Sequence, residues 1–167
     1  YLALGSFPPL KDSRIALDQA FAELASANPK HIVIDLRSNA GGYVETAAYV
    51  ANLLAPTDLN GKVMYTEQYN TLLQSGKSKL LKHQPYLDEN GKPVLYQGRN
   101  ATMADVNYTE AGNTYRFTKK GTMTGITDVY FIVSGTTASA SEMLISVLKP
   151  YFKVRVAGSQ TYGKPVG

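Results

Sequence analysis

The stretch HIVIDLRSNAGGYVETAAYVANLLAP, residues 31–56, decides the fold. It begins with a continuous apolar run over residues 31–36, which is typical of a strand buried on both faces. A polar turn containing two glycines follows over residues 37–42. Apolar residues then recur at helical spacing from Val44 until Pro56 ends the pattern. A buried strand, a tight turn and a helix together predict one unit of a parallel α/β sheet.

The same alternation continues on both sides of this stretch. Residues 2–7 predict a strand, and a helix capped by Asp12 or Ser13 follows it as far as Asn28. Downstream, residues 129–133 predict a second buried strand. A helix with an apolar face comes next, and residues 154–157 predict a further strand. We therefore predict an α/β fold, with a mostly parallel sheet and flanking helices, in a single domain over residues 1–167.

Residues 57–126 differ in character from the rest of the chain. They hold six of the twelve tyrosines, and Asn90-Gly91 is typical of a hairpin turn. We interpret this region as an insert of one or two β-hairpins with an extended loop, placed between elements of the core. Long connections of this kind often carry function, so we expect the insert to flank the functional site of the core and to shape access to it.

Composition excludes several classes of function. The 167 residues include no cysteine, which rules out thiol nucleophiles, disulfides and zinc–thiolate sites in this chain. No apolar run reaches the ~18 residues of a membrane-spanning helix. The net charge is +4. Its densest cluster, Lys77, Lys79 and Lys82, is most simply a solvated face. No basic stripe with interleaved aromatic residues is present, so we expect no nucleic-acid partner.

The sequence TTASASEML, residues 136–144, contains two candidate nucleophiles. Ser139 follows a predicted strand and opens a predicted helix, where backbone N–H groups and the helix dipole favour developing negative charge. A simpler interpretation is that Ser139 or Ser141 caps the helix, with Glu142 completing a capping box. A serine can cap a helix and also react, so both interpretations stay open.

A reactive serine needs a base and a site for the oxyanion. Neither histidine is well placed, which leaves Lys164, directly after the last predicted strand. A lysine serves as a base only if burial lowers its pKa from ~10.4 towards neutrality. The backbone N–H groups of Gly41 and Gly42, at the end of a buried strand, can stabilise an oxyanion. A plain strand-to-helix turn explains the two glycines equally well.

Three segments of the chain resemble, in order, those of the carboxyl-terminal processing peptidases, also called tail-specific serine proteases. Residues 34–42, IDLRSNAGG, are similar to the family's D-L-R-x-N-x-G-G segment. Residues 137–142, TASASE, are similar to its nucleophile segment, and residues 158–164, GSQTYGK, to its G-x-x-T-[FY]-G-K segment. The family's lysine lies 25 positions after its serine, and Lys164 lies 25 positions after Ser139.

The resemblance implies a protease core related to the ClpP and crotonase folds. In it, Ser139 would be the nucleophile and Lys164 the general base. The N–H of Ala140 and one N–H from Gly41 or Gly42 would form the oxyanion hole, and we favour Gly41. The implied reaction is hydrolysis of peptide bonds in protein substrates, near their C-termini, through an acyl-enzyme.

The resemblance also implies that no metal or cofactor is needed. It implies an exported protein of the periplasm or cell envelope. We expect the family's PDZ-like and N-terminal parts to lie outside this segment.

Two other functions remain open from the sequence. The chain could be a non-catalytic ligand- or peptide-binding protein on the same fold, or a crotonase-type acyl-CoA enzyme. The joint presence of Ser139, Lys164 and the Gly41-Gly42 pair disfavours both, because neither function needs a serine and a lysine together.

Overall fold

The computed structural model describes residues 1–88 and 90–164. Glu89 of the predicted insert and residues 165–167 of the predicted domain lie outside the described residues. The strands and α-helices follow in the order β1 (Leu2–Ala3), α1 (Leu10–Ser26), β2 (His31–Asp35), α2 (Val44–Leu54), β3 (Val63–Thr66), α3 (Thr71–Gln74), β4 (Leu95–Tyr96), β5 (Arg99–Asn100), β6 (Thr114–Arg116), β7 (Asp128–Val133), α4 (Ala140–Leu148) and β8 (Lys153–Gly158). Short 3₁₀ turns lie at Thr57–Leu59, Leu80–His83, Met103–Asp105 and Ala111–Asn113.

The chain forms two compact units, of which the first comprises Tyr1–Met64 and the chain from Arg116 onward. It is built on a four-stranded sheet in the order β1-β2-β7-β8, in which all neighbours are parallel. Ile34 of β2 lies opposite Phe131 of β7, which lies opposite Val156 of β8. Ile34 and Phe131 are completely buried. The prediction of an α/β fold with a parallel sheet is therefore confirmed.

Helix α2 lies at the centre of the helical packing and contacts both α1 and α4. Its alanines Ala47 and Ala51 are fully buried, and such small residues allow neighbouring helices to approach closely. Leu53 and Leu54 fill the space towards the end of the helix. This packing holds the starts of α2 and α4 in a fixed relation to each other.

Because β2, β7 and β8 are parallel, their carboxyl ends meet at one edge of the sheet. The loops that follow these strands, residues 36–43, 134–139 and 159–164, emerge together at that edge. Such an edge is where open α/β sheets place their ligands. The three sequence segments that carry the family resemblance are thus brought together by sheet topology.

The first helix begins earlier than its sequence predicts. Helix α1 starts at Leu10, directly after Pro9, so the prediction that Asp12 or Ser13 caps it was wrong. Proline has a fixed φ that suits a helix start, here −49°. Asp12 instead lies in the first turn, and the Ser13 hydroxyl donates to the Pro9 carbonyl at 3.1 Å.

The second unit, Tyr65–Tyr115, contains two hairpin turns. The predicted turn at Asn90-Gly91 is confirmed, since Leu87 and Pro93 form an antiparallel bridge around it. The other turn, Gln97-Gly98, joins β4 to β5, and both of its residues have positive φ, 50° and 79°. Positive φ at both central positions is the signature of a type I′ turn.

The second unit has almost no hydrophobic core. Among its described residues, Ala101 alone is buried. Aromatic pairs take the place of a core, with Tyr65 stacked on Tyr115 at a centroid distance of 4.5 Å. Tyr69 and Tyr108 meet edge to face at 5.0 Å. The apolar residues of the unit therefore remain in partial or full contact with solvent, Ala101 excepted.

Candidate active site

Ser139 has a backbone conformation that a serine rarely adopts. Its φ and ψ are 55° and −120°, and it is the N-cap residue of α4. Strain of this kind persists only where surrounding contacts enforce it, and it clusters at functional sites. Ser139 is partly exposed, whereas Ser141 is fully buried and donates to the Asn39 carbonyl at 3.1 Å. The structure therefore separates the two candidate serines by accessibility.

The loop before Ser139 is bonded to the loop that follows β2. The Thr137 hydroxyl donates to the Leu36 carbonyl at 2.7 Å, and the Thr136 hydroxyl donates to the Arg37 carbonyl at 2.7 Å. The N–H of Ala138 donates to the Asn39 carbonyl at 3.2 Å. These bonds hold the turn containing Gly41 and Gly42 against the start of α4.

Gly41 lies so close to Ser139 that no side chain fits there. A Cβ on Gly41 would come within 2.8 Å of both the Ala138 carbonyl oxygen and the Ser139 Cβ, and within 3.1 Å of the Ala140 nitrogen. Its φ of 103° also lies in the region that favours glycine. The sequence-based grouping of Gly41, Ser139 and Ala140 at one place thus agrees with the geometry.

The N–H of Gly41 is already used, which argues against the preference for Gly41 as an oxyanion donor. It donates to Oδ1 of Asn39 at 2.9 Å, and Asn39 is fully buried. The bonds from Phe7 N–H to the Gly41 carbonyl and from Tyr43 N–H to the Phe7 carbonyl flank Gly42. In such a parallel bridge the N–H of the flanked residue, here Gly42, points away from the partner strand. Within the described residues, the N–H groups of Gly42 and Ala140 donate no hydrogen bond.

Glu142 links the nucleophile segment to the lysine segment. Its Oε2 accepts from the N–H of Ser139 at 3.0 Å and from the N–H of Lys164 at 2.9 Å. Its Oε1 accepts from the N–H of Gly163 at 2.7 Å. The backbone N–H groups of Ser139 and Lys164 thus share one acceptor oxygen, which brings the two backbones close together.

Hydrogen bonds set the charge state of Glu142. Burial alone would raise its pKa, but the hydrogen bonds from the Thr161 side chain and from three backbone N–H groups outweigh burial, so the pKa is lowered. The carboxylate is therefore ionised at neutral pH and available as an acceptor. The capping box predicted for Ser139 and Glu142 is present, but Glu142 also reaches the segment that carries Lys164.

Lys164 lies on an exposed segment. Besides Glu142, the N–H of Tyr162, which donates to the Thr137 carbonyl at 2.9 Å, ties this segment to the loop before Ser139. The side chain of Lys164 is exposed to solvent, so the burial expected from the sequence is not provided by the described residues. The backbones of Ser139 and Lys164 are thus brought close together, while the side chain of Lys164 remains exposed to solvent.

A second polar group lies next to the site, at the end of β2. Asp35 accepts from the Arg37 guanidinium at 2.7 Å and from the Tyr1 hydroxyl at 2.6 Å. The hydrogen bond from Arg37, followed in size by the one from Tyr1, holds the pKa of Asp35 well below its usual range. The group lines a cleft of about 390 Å³ together with residues 3–5 and Ser38. It fixes the direction in which the chain leaves β2 towards Gly41.

Sequence reasoning missed two residues of the site. Asn39 orients the Gly41 amide, and the only signal for it was its fixed place in the D-L-R-x-N-x-G-G pattern. Glu142 was interpreted only as a cap. Its spacing from Lys164 gives no hint of contact, because the sheet brings together segments 22 residues apart.

None of the described helices is long and apolar enough to cross a membrane.

Comparisons with known proteins identify relatives of this chain. Two proteins described as CtpA-like serine proteases, from two strains of Staphylococcus epidermidis, are each 26% identical over 137 residues. The match covers 82% of this chain and 20% of each relative, so the chain spans about a fifth of their length.

Solved structures show the same fold. A protein of Bacteroides fragilis described as an S41 protease superposes with a TM-score of 0.62 at 22% identity, over 94% of this chain and 32% of that one. The photosystem II D1 C-terminal processing protease superposes with a TM-score of 0.56 at 21% identity, over 98% of this chain and 31% of that one.

The model of peptidase family S41 matches residues 1–167, the whole length of the chain. The family expected from the three sequence segments is thus confirmed. This chain belongs to peptidase family S41.

Proposed function

We propose that this chain forms the catalytic part of a serine endopeptidase that cleaves protein substrates near their C-termini. The observation that carries the proposal is the shared oxygen of Glu142, which accepts from the N–H groups of both Ser139 and Lys164. A structural cap needs the first of these bonds and not the second. A serine–lysine pair needs both, because its two members come from distant segments.

In this proposal Ser139 attacks the scissile carbonyl, and the amine of Lys164 takes its proton and passes it to the leaving amine. Water then attacks the resulting acyl-enzyme, with Lys164 again as base. A lysine amine accepts a proton only in its neutral form, which exclusion of water favours. Since Lys164 is exposed here, we propose that the bound substrate covers it and excludes water.

For the oxyanion we propose the N–H groups of Gly42 and Ala140. Both lack partners within the described chain, whereas the N–H of Gly41 is held by Asn39. The role of Gly41 is then steric, since only a residue without Cβ allows the turn to approach Ser139 so closely. Two preorganised backbone donors typically contribute several kcal/mol of transition-state stabilisation.

The test is covalent labelling with a fluorophosphonate, followed by mass spectrometry of the tryptic peptides. We expect the label on Ser139, and we expect Ser139→Ala and Lys164→Met to abolish it. Ser141→Ala is the matched control, because Ser141 lies two residues away but is buried, and it should still be labelled at Ser139. Labelling of Ser141, or undiminished labelling of Lys164→Met, would contradict the assignment. An unlabelled wild-type protein would favour a binding function on this fold.

We further propose, on the family resemblance alone, that the protein acts outside the cytoplasm, in the periplasm or cell envelope. Cell fractionation against a periplasmic marker enzyme checks this location. Recovery with the cytoplasmic marker would overturn it.

A further inference from the structure

The second unit carries a segment that combines exposed leucines with lysines and has no acidic residue. It runs over residues 71–83, TLLQSGKSKLLKH, and we call it the lysine–leucine loop. From residue 68 to residue 87 the sequence contains no aspartate or glutamate. None of the salt bridges within the described chain involves Lys77, Lys79 or Lys82, and all three are exposed. The loop thus presents three cationic groups that are not neutralised by carboxylates.

Two leucines of this loop point into solvent. Leu72 is 53% exposed and Leu80 is 77% exposed, the largest exposure among the large apolar residues of the described chain. Single exposed apolar residues are common on protein surfaces. What distinguishes these two is that each lies beside lysines in a segment without acidic residues.

The local backbone fixes each leucine next to a lysine. Helix α3 ends with the N–H of Lys77 donating to the Leu72 carbonyl at 3.1 Å and the N–H of Gly76 donating to the Leu73 carbonyl at 3.0 Å. This pair of bonds, with Gly76 at a φ of 66°, is a Schellman motif. The motif reverses the direction of the chain, so that the backbone of Lys77 lies next to that of Leu72. Leu80 opens the following 3₁₀ turn, with Lys79 immediately before it and Lys82 two positions after it.

We propose that the lysine–leucine loop docks this protein onto an anionic lipid surface. Lysines near such a surface are attracted to its phosphates, and exposed leucines gain by entering the boundary between headgroups and acyl chains. A bilayer interface requires no complementary groove on the protein. The loop fits this requirement, since it is made of two short turns and offers isolated apolar tips. An acidic protein partner would have to supply both carboxylates for the lysines and a shaped pocket for Leu80, whereas a bilayer interface needs no such pocket.

The inference is independent of the proposed peptidase chemistry, because it uses no residue of the site around Ser139. A protein that failed to label with a fluorophosphonate could still bind vesicles through this loop. Likewise, a protein that is labelled at Ser139 could fail to bind vesicles. Each proposal can therefore be refuted without the other.

Binding is measured by sedimentation with sucrose-loaded vesicles, either phosphatidylcholine alone or phosphatidylcholine with about a third phosphatidylglycerol. We expect binding to the anionic vesicles only. Substitution of all three loop lysines, Lys77→Gln, Lys79→Gln and Lys82→Gln, should lower the partition coefficient on the order of 100-fold, since each lysine near the surface contributes roughly fivefold. The matched control removes the same charge elsewhere, with Lys11→Gln, Lys30→Gln and Lys149→Gln, all exposed lysines of the first unit. The partition coefficient of this control variant should fall much less.

Insertion of the apolar tip is tested by fluorescence. The chain contains no tryptophan, so Leu80→Trp introduces a single reporter. Its emission should shift to the blue with anionic vesicles and be quenched by lipids brominated on the acyl chain. Ile15→Trp is the control, because Ile15 is 73% exposed on α1, outside the loop, and its emission should stay unchanged.

Three results would overturn the proposal. The first is equal loss of binding in the two lysine triple variants, which would mean that net charge alone attracts the protein. The second is vesicle binding without a blue shift of Leu80→Trp, which would mean that the leucine does not enter the lipid. The third is lysine-dependent binding to polyglutamate without any binding to vesicles, which would make the partner an acidic protein.

Discussion

Contacts with neighbouring residues impose the backbone conformation of Ser139, which a serine does not favour by itself. At a φ of 55° and a ψ of −120°, a Cβ is unfavourable, and glycine is the residue that adopts this region without strain. The bonds from Ala138 to Asn39 and from Ser139 to Glu142 hold the backbone there from both sides. A serine at this position therefore lowers the free energy of unfolding relative to glycine.

This strain predicts an order of stability among inactive variants. Ser139→Gly should unfold at a higher temperature than Ser139→Ala, by the equivalent of about 1 kcal/mol, because glycine relieves the strain and alanine keeps it. Both variants should be inactive, so activity does not confound the comparison. Differential scanning calorimetry measures the difference. If Ser139→Ala proved the more stable variant, the backbone at this position would not be strained.

The Glu142 carboxylate bridges the backbones of Ser139 and Lys164. We therefore expect its substitution to impair catalysis by displacing these two residues, and not only by removing a charge. Glu142→Gln keeps the size of the side chain but weakens the acceptors for Ser139, Gly163 and Lys164. We expect kcat to fall on the order of 10- to 100-fold with KM nearly unchanged, since misplacement of catalytic groups acts mainly on the chemical step. Glu23→Gln, at an exposed position on α1, is the control and should behave like wild type. A change confined to KM would mean that Glu142 acts on substrate binding.

The same substitution should alter the dependence of stability on pH. The pKa of Glu142 is lowered in the folded state, so its stabilising contribution is complete above the pKa of the unfolded chain, ~4.3. That contribution is lost as the pH falls through the folded pKa. Wild type should therefore unfold at a higher temperature than Glu142→Gln at pH 7, and the gap should narrow below about pH 4. A gap that is constant from pH 7 to pH 3 would contradict the shift.

At the scale of single residues, the sequence predicted which backbone segments meet at the site and did not predict which amide is available. Ser139 and Lys164 could be named because their spacing matches a known pattern. The choice between Gly41 and Gly42 depends on where each N–H points, and that is decided by Asn39 and by the bridge to Phe7. Contacts of this kind come from strand pairing between distant segments.

Among the elements, the turn between β2 and α2 has little tolerance for change. A Cβ on Gly42 would lie 2.1 Å from the carbonyl oxygen of Phe7, and its φ is 134°. Gly42→Ala should therefore lower the free energy of unfolding by about 3 kcal/mol, through a clash with backbone in addition to strain. Gly61→Ala is the control, since Gly61 has a φ of 80° but no atom within 4 Å of its Cβ position. It should cost only about 1 kcal/mol. Urea denaturation measures the free energy of unfolding of both variants. Equal losses would show that the backbone of Phe7 shifts to make room for the added Cβ.

Element boundaries were predictable where a single residue type forces them. Asn90-Gly91 was recognised as a turn because asparagine and glycine both tolerate positive φ. Gln97-Gly98 also forms a hairpin turn but was not recognised, because glutamine has no such preference and is held there by the pairing of β4 with β5. The start of α1 at Leu10 likewise follows from Pro9 rather than from the polar residues after it.

For the whole molecule, the second unit is predicted to be dispensable for folding of the first. Glu67 and Asn113 lie at the base of the second unit and are joined by a backbone hydrogen bond of 3.0 Å, so a two-residue Asn-Gly turn can replace residues 68–112. Because the removed part holds only one buried residue among those described, we expect the melting temperature to change by no more than a few degrees. Circular dichroism during heating measures this. Loss of cooperative unfolding would mean that the second unit supports the sheet.

The position of β8 has a consequence for self-association. Among the described strands it lies at the edge of the parallel sheet, and most of its residues are exposed, Val156 by 48%. An open edge with an alternating pattern is a template for pairing with another chain. Lys153 and Arg155 alternate with Val154 and Val156 along this edge, so two copies that approached through β8 would bring like charges together. The solubility of the isolated chain therefore rests partly on these two cations, and salt, by screening them, would favour the formation of intermolecular sheets.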